Sequence, residues 1–202
     1  MTEERRYEVL FGLTLAIFAA ILAINDLGGG KFGDDELQLS NEKTSAYLWY
    51  QSKGIKESLA EGQRDLIKTL LAGQAIDSAH QDSLVTLQTD LDRRISRYKD
   101  EKKEILLGSK AVGEEKWVQD VEGVLGKVLG AKEIEVKLEQ LGKAGDVFDL
   151  ANLFLQLSLV VGAIGILMTG QRIKMTFYGL MVLSGVSGSL ASFLAFSKAL
   201  AL

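Results

Sequence analysis

Cysteine and proline are both absent from this chain of 202 residues, and histidine occurs once. Without cysteine there is no disulfide, no thiol nucleophile and no thiolate-bound zinc or iron–sulfur centre. Proline averages about 5% of residues, so roughly 10 would be expected. Proline breaks helix interiors, and its absence suits long uninterrupted helices. Metal sites converge several ligands, whereas the single His80 stands beside Gln81 and Asp82 near a turn and reads as a surface residue. The cluster Asp34, Asp35 and Glu36 lacks the spacing of a calcium-binding hand. It reads as a solvated helix start, where the macrodipole favours negative charge. No G-x-x-x-x-G-K-[ST] loop and no nucleophile elbow is present, and no Ser-His-Asp set can be assembled. The run Gly28–Gly33, GGGKFG, is superficially like a phosphate loop but follows an apolar helix and not a strand. Catalytic, cofactor-binding and metal-ligating residues are accordingly expected to be none, and the protein is read as not an enzyme.

A basic stripe is missing too. Between Lys31 and Asp146 lie 18 of the 23 Lys and Arg and 22 of the 27 Asp and Glu. This mixed surface lacks the excess of positive charge that phosphate contacts need, so no nucleic acid is expected as partner.

What the chain does have is three apolar runs, Val9–Ile24, Leu150–Met168 and Met175–Phe196, none with a charged residue. A bilayer core about 30 Å thick takes about 20 helical residues to cross, and inside it the backbone must pair with itself. The expected fold is an all-α membrane protein with three transmembrane helices and a long-helix, coiled-coil-like extramembrane insert. The expected division is a cytoplasmic N-terminus at 1–8, transmembrane helix 1 at 9–27 and a helical extramembrane domain at 28–146. Transmembrane helix 2 follows at 147–169, then a short basic loop at 170–174 and transmembrane helix 3 at 175–197. The first run resembles a secretion signal, but no clean cleavage site follows it, so it is read as an uncleaved anchor.

Short-loop Lys and Arg mark the cytoplasmic side. Arg5 and Arg6 precede the first run, and Arg172 and Lys174 connect the second to the third. Both basic flanks are satisfied by a cytoplasmic N-terminus and a periplasmic insert in a bacterial inner membrane. Tyr7 and Tyr178 then share one interface, where amphipathic rings are favoured.

The short connection Thr169–Lys174 forces the last two spans into an antiparallel hairpin. Ser184, Gly188 and Ser192 recur every four residues, beside Gly185 and Ser189, and span two carries Ser158, Gly162 and Gly165. Small residues at this spacing let helices approach closely, either within the hairpin or between subunits. Asn152 and Gln156, four apart, share a face. They serve either as helix glue or as pore lining in an oligomer. No charged residue lies inside the three apolar runs, which argues against an ion-coupled transporter.

In the insert, Gly28–Gly30 and Gly33 read as a break after the first span. Helical spacing of Tyr47, Tyr50, Leu59, Leu66 and Leu70 follows, with an interruption around Ala72–Ser78. Leu84, Leu91, Tyr98 and Ile105 are each seven apart, with Leu87 and Ile95 broadening the stripe, as in a coiled-coil seam. After Gly108 and Gly113, a last helix is expected to carry Trp117, Val121, Val124, Val128, Leu138 and Leu141 and to run into span two. Three long antiparallel helices are thus expected.

The stretch Thr44–Leu59, TSAYLWYQSKGIKESL, carries a WYQxKxxK run at Trp49, Tyr50, Gln51, Lys53 and Lys56. On these residues and the order of spans, the chain resembles an uncharacterised bacterial inner-membrane family, one of the domain-of-unknown-function families. The resemblance implies one N-terminal span, a helical insert and a C-terminal membrane hairpin, and it implies no activity. Trp49, Lys53 and Lys56 fall on one face. They either rest Trp49 in the bundle with lysine stems over its edge, or form with Tyr50 an interaction patch for lipid headgroups or a partner.

The expected function is a homo-oligomeric assembly or scaffold with a projecting helical domain, the alternative an oligomeric channel lined by transmembrane helix 2. No cofactor is expected. The expected partners are the lipid bilayer, further copies of the chain, and another envelope protein.

Overall fold

The computed structural model describes residues 3–73 and 77–201, and the side chains of 7–73, 77 and 80–201. Among the described residues the protein is all-α apart from one two-stranded hairpin. In order come α1 (Glu3–Ala72), α2 (Ser78–Leu107), α3 (Ser109–Val112), a 3₁₀ turn (Glu114–Lys116), β1 (Asp120–Val121), β2 (Val124–Leu125), α4 (Ala131–Leu167) and α5 (Gln171–Ala199). Three of these helices, α1, α4 and α5, are long and apolar enough to cross a membrane. The chain divides into two compact units, one of Met1–Gln38 with Lys137–Leu202 and one of Leu39–Val136.

In the first unit, Phe11, Phe18, Leu155 and Met181 form a buried centre shared by α1, α4 and α5. Close approach depends on missing side chains. A Cβ at Gly185 would overlap the Phe18 ring, and one at Gly188 would lie 2.7 Å from Leu155 Cγ and 2.9 Å from its backbone nitrogen. A second cluster joins Ala144, Phe148, Ala195 and Ala199. Phe148 packs edge-on against Phe196 at 5.0 Å and is stacked on Phe32 at 5.7 Å. The outward faces stay apolar, with Leu13, Ile17, Leu153, Leu183 and Phe193 all exposed.

The expected break at Gly28–Gly33 does not occur: α1 runs through it as helix. Gly28 is the point where Phe148 and Phe196 press on α1, so a Cβ there would overlap the Phe196 ring. Close packing, not a turn, uses the missing side chain. Asp34, Asp35 and Glu36 consequently lie inside a helix and do not start one. The interruption expected around Ala72–Ser78 falls where α1 ends and α2 begins, with residues 74–76 outside the described ones.

In the second unit, α2 packs on the later part of α1. Leu91 and Ile95 are buried with Ala60 and Ile67, and Leu71, Leu84 and Tyr98 close the edges. Ile105 is buried as well, whereas Leu87 is exposed and does not widen the stripe.

The last helix expected from Trp117 does not form before Ala131. Gly113, Gly123 and Gly126 take positive φ, as does Glu122 at 55°. Positive φ at two successive residues is what a two-residue hairpin turn demands, and Glu122–Gly123 supplies it. Val121 and Val124, three apart as on a helix face, are cross-strand partners. The unit therefore has two long paired helices closed by a folded loop, in place of three. From Ala131 the helix does run without interruption to Leu167 and carries Leu138 and Leu141.

Candidate functional site

Two polar assemblies stand out, one in each unit. In the first, Asn25 is fully buried at the end of the first apolar run. Its amide donates to Asn152 Oδ1 at 2.8 Å and to the Phe148 carbonyl at 3.1 Å. Its own Oδ1 is buried and accepts no hydrogen bond among the described residues. Beside it lies a cleft of about 320 Å³ between α1 and α4, lined by Asp26, Gly29, Gly33, Glu36, Gly145, Phe148, Asp149 and Asn152 among others. The glycines leave room and the three carboxylates make the opening acidic. No group of three or more Asp, Glu or His among the described residues is arranged to hold a metal ion.

Asn152 therefore ties α4 to α1 within the chain. Gln156, expected on the same face, is exposed. The small-residue seam is occupied within the chain too. Ser184 Oγ donates to the Phe154 carbonyl at 2.8 Å. Gly188 meets Leu155, and Ser192 is buried. From the other side, Ser158 Oγ donates to the Met181 carbonyl at 2.8 Å. Arg172 and Lys174 occupy the first turn of α5, after a three-residue connection. Tyr178 packs edge-on against Phe11 and shares a hydrogen bond with Thr14. The side chains of Arg5 and Arg6 lie outside the described residues.

In the second unit the WYQxKxxK run is split. Lys53 reaches inward to the buried Glu101 carboxylate at 2.7 Å, which Arg97 also binds at 2.8 Å. Tyr50 lies under Lys102, whose ammonium is 5.0 Å from the ring centre. Lys102 also donates to Glu57 at 2.8 Å, and this holds its ammonium above the usual lysine range. Trp49 is half-buried and Lys56 exposed. The four residues do not converge on one surface.

The densest polar construction is one that sequence reasoning missed. The Glu104 carboxylate, fully buried at the end of α2, accepts from Ser109 Oγ at 2.7 Å and from the backbone of Val118 and Gln119 at 2.9 Å each. Ser109 Oγ in turn accepts from Val128 N, and Ser109 O accepts from Trp117 Nε1 at 2.8 Å. One carboxylate thus satisfies donors of a loop that has almost no regular structure of its own. The glycines at 108, 113, 123 and 126 were the available signal for that loop, and Glu104 is the buried carboxylate its backbone donates to. His80 is exposed and its backbone N–H bonds to the Asp77 carbonyl, as in a helix-start turn.

These observations define an all-α protein with three helices apolar enough to span a membrane and a separate, polar helical unit. The chain belongs to the family of the domain of unknown function DUF4337, whose model matches residues 8–198. No curated protein and no solved structure matches it.

Proposed function

We propose that this protein is a non-catalytic component of a bacterial inner membrane, a homo-oligomeric assembly or scaffold with a projecting helical domain. The observation that carries this reading is the outer face of the first unit. Leu13, Ile17, Leu153, Val160, Leu183 and Phe193 are exposed on three membrane-length helices, while Asn25, Ser158 and Ser192 are buried between them. Lipid is the solvent that tolerates such a face. The N-terminus and the Arg172–Lys174 turn lie in the cytoplasm and the insert in the periplasm, because short basic flanks are retained on the inside. The α2 heptad pairs with α1 in the manner of a short coiled coil. Further copies of the chain, the bilayer and another envelope protein are its partners.

Assembly is placed ahead of conduction. Asn152 is engaged by Asn25, which leaves Gln156 alone on an exposed face of α4. Native mass spectrometry of the chain in nanodiscs tests the proposal. A discrete multimer of the 22.0 kDa chain is expected. A monomer with no co-purifying partner would overturn it. A multimer that conducts ions across a planar bilayer would replace it with the channel.

A further inference from the structure

The heptad most visible in the sequence, Leu84 to Ile105, is used inside the chain, but α1 carries a second one that none of the described residues covers. Leu48, Ser52, Ile55, Leu59, Gly62 and Leu66 follow spacings of four, three, four, three and four residues. This is the alternation of a coiled-coil seam. At about 100° per residue the four large side chains fall within about 20° of a single line along the helix. They are exposed to 61, 70, 63 and 62% respectively. Ile67, Ala60 and Glu57, which face α2, lie roughly 100–180° around α1 from that line.

The six seam positions themselves are uncharged, and only Lys56 and Asp65, on opposite flanks, carry charge beside them. Its other neighbours, Thr44, Gln51, Ser58 and Gln63, are polar, uncharged and exposed. No cluster of lysines or arginines flanks it, so it lacks the positive rim that binding at an anionic membrane surface requires. A heptad-spaced stripe of this kind is complementary to itself, since two identical copies in parallel bury it without setting like charge against like charge. We propose that this face of α1 pairs with the same face of a second copy of the chain. This rests on the assembly reading above and names its interface.

Copies held in one membrane share one topology, so their α1 helices run parallel and in register. The seam then sets Leu48, Ile55, Leu59 and Leu66 each against its own counterpart. Ser52 and Gly62, small at intervening positions, let the backbones approach. The flanking pairs across a parallel seam are Gln51 with Lys56 and Ser58 with Gln63 of the other copy, and neither repels.

The chain has no cysteine, so one introduced thiol is unique. Ile55→Cys and Leu59→Cys are made in the full chain, with Lys68→Cys on another face of α1 as control, and membranes are treated with a mild oxidant. The expected result is a band at twice 22.0 kDa for the two seam variants and none for the control. Native mass spectrometry of the unmodified chain is run in parallel. A multimer whose seam variants cross-link no better than Lys68→Cys overturns this interface while leaving assembly intact. A monomer overturns assembly and the interface with it. A cross-linked product of any other mass gives the stripe to a different protein and overturns the pairing of copies. Should a cysteine variant fail to fold, Leu59→Lys serves: loss of the multimer at unchanged helix content is expected, and a retained multimer overturns the proposal.

Discussion

Replacing Glu104 by alanine should open the loop between α2 and α4 while leaving the helices paired. The carboxylate accepts two backbone N–H groups, from Val118 and Gln119, and one hydroxyl. A buried donor left without a partner costs about 1–3 kcal/mol. Gln119 is buried and takes the full cost, whereas half-buried Val118 regains part of it from water. The expected local loss is about 3 kcal/mol, which is roughly a hundredfold rise in the opening equilibrium. Amide hydrogen exchange on the full chain in nanodiscs reads it directly. Gln119, Val118 and Val128 should exchange about a hundredfold faster, while the amides of Leu91 and Ile95 keep their protection. Glu104→Gln should lie between, because the amide oxygen still accepts while the charge is lost. Unchanged protection at Gln119 in Glu104→Ala would refute the view that this carboxylate organises the loop.

Gly188→Ala should lower thermal stability in detergent by about 1–3 kcal/mol, because its Cβ meets the backbone nitrogen of Leu155 and the Ala151 carbonyl. Gly12→Ala, with open space around it, should be neutral or stabilising by about 0.5–1 kcal/mol in the same assay; equal losses would refute the packing argument. Asn25→Ala should cost about 1 kcal/mol, the scale of a hydrogen bond between membrane helices, and Asn152→Ala in that background should add little. A fully additive double variant, by thermal unfolding, would count against their coupling. Lys102 lies above its ordinary value of 10.5 through the Glu57 hydrogen bond, and Tyr47 above 10.0 through Glu135. Both contributions are intact below these values and fade as pH rises past them. Stability of the helical unit should therefore decline from about pH 10 upward, and removing both groups (Lys102→Met, Tyr47→Phe) should flatten that alkaline limb of a melting-temperature profile.

The sequence by itself determined the elements whose signal is local or periodic. Three charge-free runs can satisfy their backbone in an apolar medium only as helices, and without proline nothing stops them. The seven-residue spacing from Leu84 to Ile105 likewise specifies one apolar face of α2, whatever that face meets. Tertiary structure alone decided the meaning of residues with two uses. Glycine serves a turn or a close contact equally well. At Gly28 the rings of Phe148 and Phe196 make it a contact, whereas at Gly123 the hairpin makes it a turn. Valines three apart suit a helix face or a two-residue hairpin, and Val121 and Val124 are strand partners beside a loop whose backbone donates to Glu104. The same holds for Lys53, a surface charge by composition, which Glu101 draws inward from a residue 48 positions away. A buried charge needs a counter-charge or hydrogen-bond donors around it, and for Glu101 which residues supply them depends on how α1 and α2 dock.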